Sequence, residues 1–136
     1  MLSPYFCLAL ILYGEANNQT EVVQNAVGYV VMNRAQYNPD KVCKVVNKPG
    51  AFHYITQLNQ RVKKYPSELI LAPYKVKAYR IIHNYASNPV GDANYFHDTS
   101  ISRPKYWKVT LVAKYGKMVF YKGEYNGRWF WWSLWY

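Results

Sequence analysis

The chain has 136 residues, 51% of them hydrophobic and 18% charged. That is enough for one domain with a buried core, too short for two, too apolar for wholesale disorder and too poor in charge for a solvated coiled coil. Seventeen Lys and Arg against seven Asp and Glu give a formal charge of +10, which attracts polyanions: nucleic acid, anionic membranes or an anionic cell wall. Aromatic residues reach 18%, with 15 Tyr and 5 Trp, a composition suited to a groove that stacks on ring-shaped ligands. The carboxylates are Glu15, Glu21, Asp40, Glu68, Asp92, Asp98 and Glu124, so acid/base chemistry by a carboxylate must use one of these.

Ser3-Pro4 reads as a helix start, with Ser as N-cap and Pro at the first helical position. Tyr5 to Ala16 is apolar on nearly every side, which predicts a buried helix. Its length falls short of the roughly 20 residues of a membrane span. Met1 to Tyr13 lacks a basic leading segment and a clear small-residue cleavage site, so it is expected to be this first helix rather than a signal peptide. Glu15 stands near the C-terminal end of the helix, where the helix dipole disfavours a negative charge. A local rule broken in this way tends to mark function. After Asn17-Asn18, Thr20 is placed to cap a second helix. Glu21 falls in its first turn, and pairs at Val22/Val23, Ala26/Val27 and Val30/Val31 continue it to Arg34.

Asn38-Pro39-Asp40 ends the next connection, Lys41 to Val46 is expected to form a short third helix, and Pro49-Gly50 to turn. Residues 51–68 are polar and show no period. Pro73 is expected to open another helix with Val76, Tyr79, Ile82/His83 and Tyr85/Ala86 as its buried stripe, stopped by Asn88-Pro89-Val90-Gly91. From Asn94 the pattern changes to strands. Val109, Leu111 and Ala113 alternate with Thr110, Val112 and Lys114, Tyr115-Gly116 turns the chain, and Met118 to Tyr121 returns as a hairpin. The tail, Trp129 to Tyr136, is almost wholly aromatic and is expected to pack on the domain as a strand. No repeat or linker is visible, so the reading is a single α+β domain over 1–136, helical first and with a small sheet last.

Particular motifs recur in this order: Cys7-Leu-Ala-Leu-Ile-Leu-Tyr-Gly-Glu-Ala16, then Gln24, then Ala26-Val-Gly-Tyr-Val-Val-Met-Asn-Arg34, Val42-Cys-Lys-Val-Val46 and Pro49-Gly-Ala-Phe52. Gly91-Asp-Ala-Asn-Tyr-Phe-His97, Pro104, Trp107 and Tyr115-Gly-Lys-Met-Val-Phe-Tyr121 follow. Together they resemble the SleB-type cell-wall hydrolase family, which includes spore-cortex-lytic enzymes and phage-encoded lysins. The resemblance spans roughly residues 5–121 and leaves 122–136 as an aromatic C-terminal extension. It implies a mostly helical, lysozyme-like α+β fold and cleavage of the β-1,4 bond between N-acetylmuramic acid and N-acetylglucosamine in peptidoglycan. Two features depart from the family pattern: Gln19 stands where a second Glu is usual, and a Gln-Phe-Ser element reads Ala51-Phe52-His53.

Glu15 matches the family's catalytic acid. Burial and the helix C-terminus would both raise its pKa, as a general acid requires, whereas an isolated Glu of this kind is more often a cap or an ion-pair partner. Most glycosidases use two carboxylates. Asp92 and Asp98 are candidates for the second, although nothing in the sequence brings them to Glu15. A lytic transglycosylase needs none, because the substrate's C6 hydroxyl attacks the anomeric carbon, and Gln19 inclines the reading that way. Hydrolysis by water, as in a muramidase, stays open.

The resemblance further implies substrate contacts at Gln24, Phe52, Tyr95, His97 and Tyr121. Against these stand plainer readings: Phe52 as a core residue, His97 as a solvent-exposed strand residue, and Asn33-Arg34 as the polar end of a helix. Cys7 and Cys43 are open between a disulfide and two buried thiols. His53, His83 and His97 lack carboxylate or Cys neighbours at ligand spacing, so neither metal nor other cofactor is expected. The expected partner is the peptidoglycan glycan strand, with electrostatic attraction to an anionic wall, in a monomer that does not bind nucleic acid. The protein would act at the bacterial wall, in the periplasm or outside the cell, as a phage endolysin or a bacterial cell-wall hydrolase, and the lack of a clear signal peptide points to phage delivery or release by a holin. Rival readings are a basic, aromatic nucleic-acid-binding module and an inactive wall-binding domain.

Overall fold

A computed structural model describes residues 2–124. The chain forms α1 (Pro4–Ala16), α2 (Glu21–Arg34), a 3₁₀ turn (Pro39–Lys41), α3 (Val42–Val46), α4 (His53–Asn59) and α5 (Glu68–Ile82), followed by β1 (Tyr95–Asp98), β2 (Val109–Tyr115) and β3 (Met118–Gly123). The fold is thus mostly helical α+β, as expected, with a small sheet at the C-terminal end. The aromatic segment Trp129 to Tyr136 lies outside the described residues.

The start signals act as their chemistry predicts. The Ser3 side chain accepts from the Tyr5 N–H, and Thr20 accepts from the Val23 N–H. α1 is buried along most of its length and forms the axis of the core, with α2, α3, α4 and α5 all packed on it. Gly28 lets α5 approach α2: a Cβ there would stand 2.5 Å from the Ile81 Cδ1. Cys7 on α1 and Cys43 on α3 stand at disulfide distance, with Cα atoms 5.3 Å apart. The sheet is antiparallel in the order β1-β3-β2, and β3 pairs Tyr121 with Tyr95 and Val119 with His97.

Three elements differ from expectation. α5 begins at Glu68, not at Pro73, because the Ser67 hydroxyl caps it by accepting from the Ile70 N–H at 3.2 Å. Pro73 sits within the helix on its exposed side, and packing against α1 carries the helix through it. The buried stripe of α5 is Leu71, Ala78, Ile81 and Ile82, while Val76 and Tyr79 face solvent. Contacts with α1 and Gly28 set this rotation, and neither is visible in a local period. Within the unassigned stretch 51–68 lies α4, whose apolar residues Tyr54, Ile55 and Leu58 are buried. In β2 the simple alternation fails, because the register shifts between Leu111 and Ala113 and both Leu111 and Val112 face outward.

Candidate active site

Glu15 occupies the last turn of α1, facing the first turn of α4. The residue is half-buried, and its Oε1 is sealed from solvent with no hydrogen-bond partner. Burial raises the carboxyl from its ordinary value of 4.5 to about 7, while the Tyr54 backbone N–H and the charges of Lys63 and Arg34 pull it partly back. At neutral pH a large fraction of this carboxyl therefore carries a proton. The charged side chains acting on it are both cations; neither Asp92 nor Asp98 is among them. Asp98 instead accepts from the Ser100 N–H at 2.7 Å and shapes the turn after β1.

The glycine before Glu15 sets how closely α4 approaches this end of α1. A Cβ at Gly14 would lie 2.1 Å from the Tyr54 Cδ2 and 2.2 Å from its Cγ, so only glycine lets the Tyr54 ring lie flat against α1. Tyr13 packs edge-on against the same ring at 6.1 Å, and the Lys63 ammonium stands 5.9 Å from its centre. The Tyr54 hydroxyl is buried without a hydrogen-bond partner. Burial first, and then Tyr13, Tyr65 and Glu15, push its pKa up to about 12, so this phenol is neutral.

Arg34, at the end of α2, joins this carboxyl to the sheet. Its guanidinium lies 5.2 Å from the Phe52 ring centre and 5.7 Å from that of Tyr95, and its Nε donates to the Asn94 carbonyl at 2.7 Å. Its neighbour Asn33 donates to the Gly91 and Ala93 carbonyls at 2.9 and 2.7 Å. The Asn-Arg pair therefore fastens the loop that leads into β1. Burial and the nearby Arg34 charge lower the Lys48 pKa, which places a second cation at this joint.

Tyr95, His97 and Tyr121 fall on one face of the sheet and pack together with Trp107. The His97 Nδ1 is 2.8 Å from the Asp98 carbonyl, which can only accept, so Nδ1 bears the proton. Nε2 then accepts from the Tyr121 hydroxyl at 2.9 Å. His97 is buried, against the reading of it as an exposed strand residue. The Tyr95 hydroxyl donates to the Glu124 carbonyl.

Two expected substrate contacts are corrected. Phe52 has no exposed surface and packs on Phe96 at 6.5 Å, so it is a core residue and offers no ring face to a sugar. Gln24 is buried, and its amide donates to the Ala16 carbonyl at 3.1 Å and the Gln19 carbonyl at 3.4 Å. It caps the end of α1 that carries Glu15 instead of lining a groove. Sequence reasoning missed Gly14, Tyr54 and Lys63 as parts of this site. The Asn33-Arg34 pair was visible as a motif, but its role was not. Among the described residues no three His, Cys, Asp or Glu side chains cluster as a metal would need.

Over 88% of this chain and 93% of its own, the catalytic domain of a germination-specific lytic transglycosylase, SleB, from Bacillus anthracis is 25% identical, with a TM-score of 0.65. The SleB catalytic domain from Bacillus cereus has the same TM-score at 24% identity, covering 88% of this chain and 89% of that one, which shows the shared fold. No curated protein sequence matches the chain. The model of the cell wall hydrolase family matches residues 18–121, most of the sequence, beginning just after Glu15. The chain belongs to the cell wall hydrolase family and is an enzyme of that class.

Proposed function

We propose that this chain cleaves the glycan strand of peptidoglycan between N-acetylmuramic acid and N-acetylglucosamine, with Glu15 as the single general acid, and releases a 1,6-anhydro product. The observation that carries the reading is the Glu15 carboxyl itself: one oxygen buried, its pKa raised to about 7, and influenced by cations with no second carboxylate among the charges acting on it. A carboxyl in that state donates its proton to the glycosidic oxygen as the bond to the anomeric carbon breaks. The C6 hydroxyl of the muramyl residue then attacks that carbon, and the Glu15 carboxylate takes the hydroxyl proton. The acid is regenerated and no water is consumed. The lytic activity named for the Bacillus anthracis relative supports this route over hydrolysis.

Tyr95, His97 and Tyr121 are buried and bonded within the sheet, so they support the cleft from behind, and Arg34 fixes that sheet relative to Glu15. The formal charge of +10 draws a monomeric enzyme to the anionic wall. Delivery by a phage or release by a holin would bring it there.

The test is mass spectrometry of digested sacculi. Wild type is expected to release soluble fragments with anhydro-muramyl ends, and Glu15→Gln to release them about 10²–10⁴-fold more slowly with an unchanged circular dichroism spectrum. Reducing muramyl ends as the main product would make the enzyme a muramidase. Full activity in Glu15→Gln would place the acid elsewhere.

A further inference from the structure

A second surface, away from Glu15, has the composition of a carbohydrate site. A cavity of about 310 Å³ opens between the start of α2 and the end of α5, and Glu21, Asn25, Lys77, Arg80, Tyr85 and Ser87 line it. Tyr85 also belongs to a group of rings beside the cavity. Tyr79 and His83 lie 4.3 Å apart, His83 and Tyr85 6.0 Å, and Tyr79 and Tyr85 6.3 Å. Tyr5, at the start of α1, completes the group, its hydroxyl 2.8 Å from the His83 Nε2. Tyr79 is 47% exposed and Tyr85 69%, so their rings are open to a ligand.

We propose that this cavity and its ring cluster form a second glycan-binding site, one that holds an acidic strand of the wall while another segment occupies the Glu15 site. The inference rests on the peptidoglycan reading above and adds a place of attachment to it. Exposed tyrosine rings present flat apolar faces against which the C–H face of a sugar ring packs. Asn25 and Ser87 offer hydrogen bonds to hydroxyl and N-acetyl groups. Arg80 makes no ion pair within 4.0 Å with any described residue, which leaves its planar fork available to the carboxylate of a muramyl residue or its peptide stem. Lys77 is partly engaged with Glu21, at 3.8 Å. That carboxylate on the rim accepts from sugar hydroxyls and opposes a phosphate backbone, which favours a glycan over a nucleic acid. Ten residues of α1 separate Tyr5 from Glu15, about 15 Å along the helix, so the two sites lie toward opposite ends of one rigid element.

Binding to purified sacculi is measured in the Glu15→Gln background, so that the polymer is not consumed. Adding Tyr79→Ala and Tyr85→Ala together is expected to weaken binding about tenfold, since both rings leave the contact. Arg80→Gln is expected to weaken it severalfold at low salt and to lose that effect at 1 M, where the Debye length is about 3 Å. Tyr85→Trp, which keeps a ring, retains binding. Undiminished binding of the double-alanine chain, with a native circular dichroism spectrum, overturns the inference. Release of soluble fragments by wild type is scored in parallel. Its absence overturns the functional reading, whereas normal release with undiminished binding of the double-alanine chain overturns this inference alone.

Discussion

The two ends of α1 solve opposite problems. At the C-terminal end the helix is covered. Gly14 admits the Tyr54 ring, the Gln24 amide caps the Ala16 carbonyl, and the Glu15 carboxyl is left in a dry setting that raises it to about 7. At the N-terminal end the helix is pinned through Cys7 to α3, and Tyr5 joins a cluster of rings that stays open to solvent. One end uses aromatic residues to exclude water from a titrating group, and the other displays them. The same residue type thus covers the helix where Gly14 lets the Tyr54 ring lie flat against it, and stays open to solvent at the other end.

The comparison can be broken most forcefully at the pinned end. The bridge between Cys7 and Cys43 spans 36 positions. Closing a loop of that length is worth about 3–4 kcal/mol through the unfolded chain. Cys7→Ser, or reduction of wild type, is therefore expected to lower unfolding stability by that amount in a denaturant titration, while leaving the Glu15 pKa unchanged. A shift of the catalytic pH profile in the reduced protein would mean that the two ends are not independent.

At the covered end, Gly14→Ala drives a methyl into the Tyr54 ring. It is expected to cost about 1–3 kcal/mol by overpacking. Because the ring must move, water should reach Glu15, and the alkaline limb of activity should fall to lower pH. A variant that loses stability but keeps the wild-type limb would show that Tyr54 does not provide the seal.

The pH dependence follows from the sign of the shift. As the proposed general acid Glu15 would act while protonated, so activity should hold below about 7 and decline as pH rises beyond it, approaching tenfold per pH unit. The same raised value means that the folded state holds this proton more tightly than the unfolded chain does. Glu15 therefore costs no stability below its ordinary value of 4.5, and the cost grows as pH rises to about 7. Relative to wild type, Glu15→Gln should be more stable at pH 8 than at pH 4, a difference that paired thermal melts measure.

The smallest expected effect is at Lys63. Its charge pulls the Glu15 carboxyl down, so Lys63→Gln should move the alkaline limb upward by a few tenths of a pH unit, because a single partly solvated charge acts weakly. A downward movement would mean that Lys63 shields the site from water rather than acting by charge.

Much of the frame was legible in the sequence because it depends on neighbours in the chain. Ser3-Pro4 and Thr20 cap the helices they were expected to cap, and Tyr115-Gly116 turns the hairpin. Glu15 stood out because a carboxylate at a helix C-terminus breaks a local rule. What escaped depends on contacts far apart in sequence. Nothing local shows that Gly14 faces Tyr54 forty residues later, or that Asn33 and Arg34 reach the carbonyls at 91–94. The rotation of α5 was misread for the same reason. Val76 and Tyr79 are as apolar as Ala78 and Ile81, and only packing on α1 and Gly28 decides which pair is buried. Phe52 and Gln24 were expected at the substrate by family resemblance, but one fills the core and the other caps a helix.

The central claim is that the covered end of α1 keeps a large fraction of the Glu15 carboxyl protonated at neutral pH. Carbon-detected NMR of a chain labelled at the Glu side-chain carboxyl, assigned by comparison with Glu15→Gln, follows that proton directly. A titration midpoint near 7 is the predicted result. A Glu15 midpoint at the ordinary 4.5 would contradict it, because the carboxyl would then be ionised at neutral pH and unable to protonate a glycosidic oxygen.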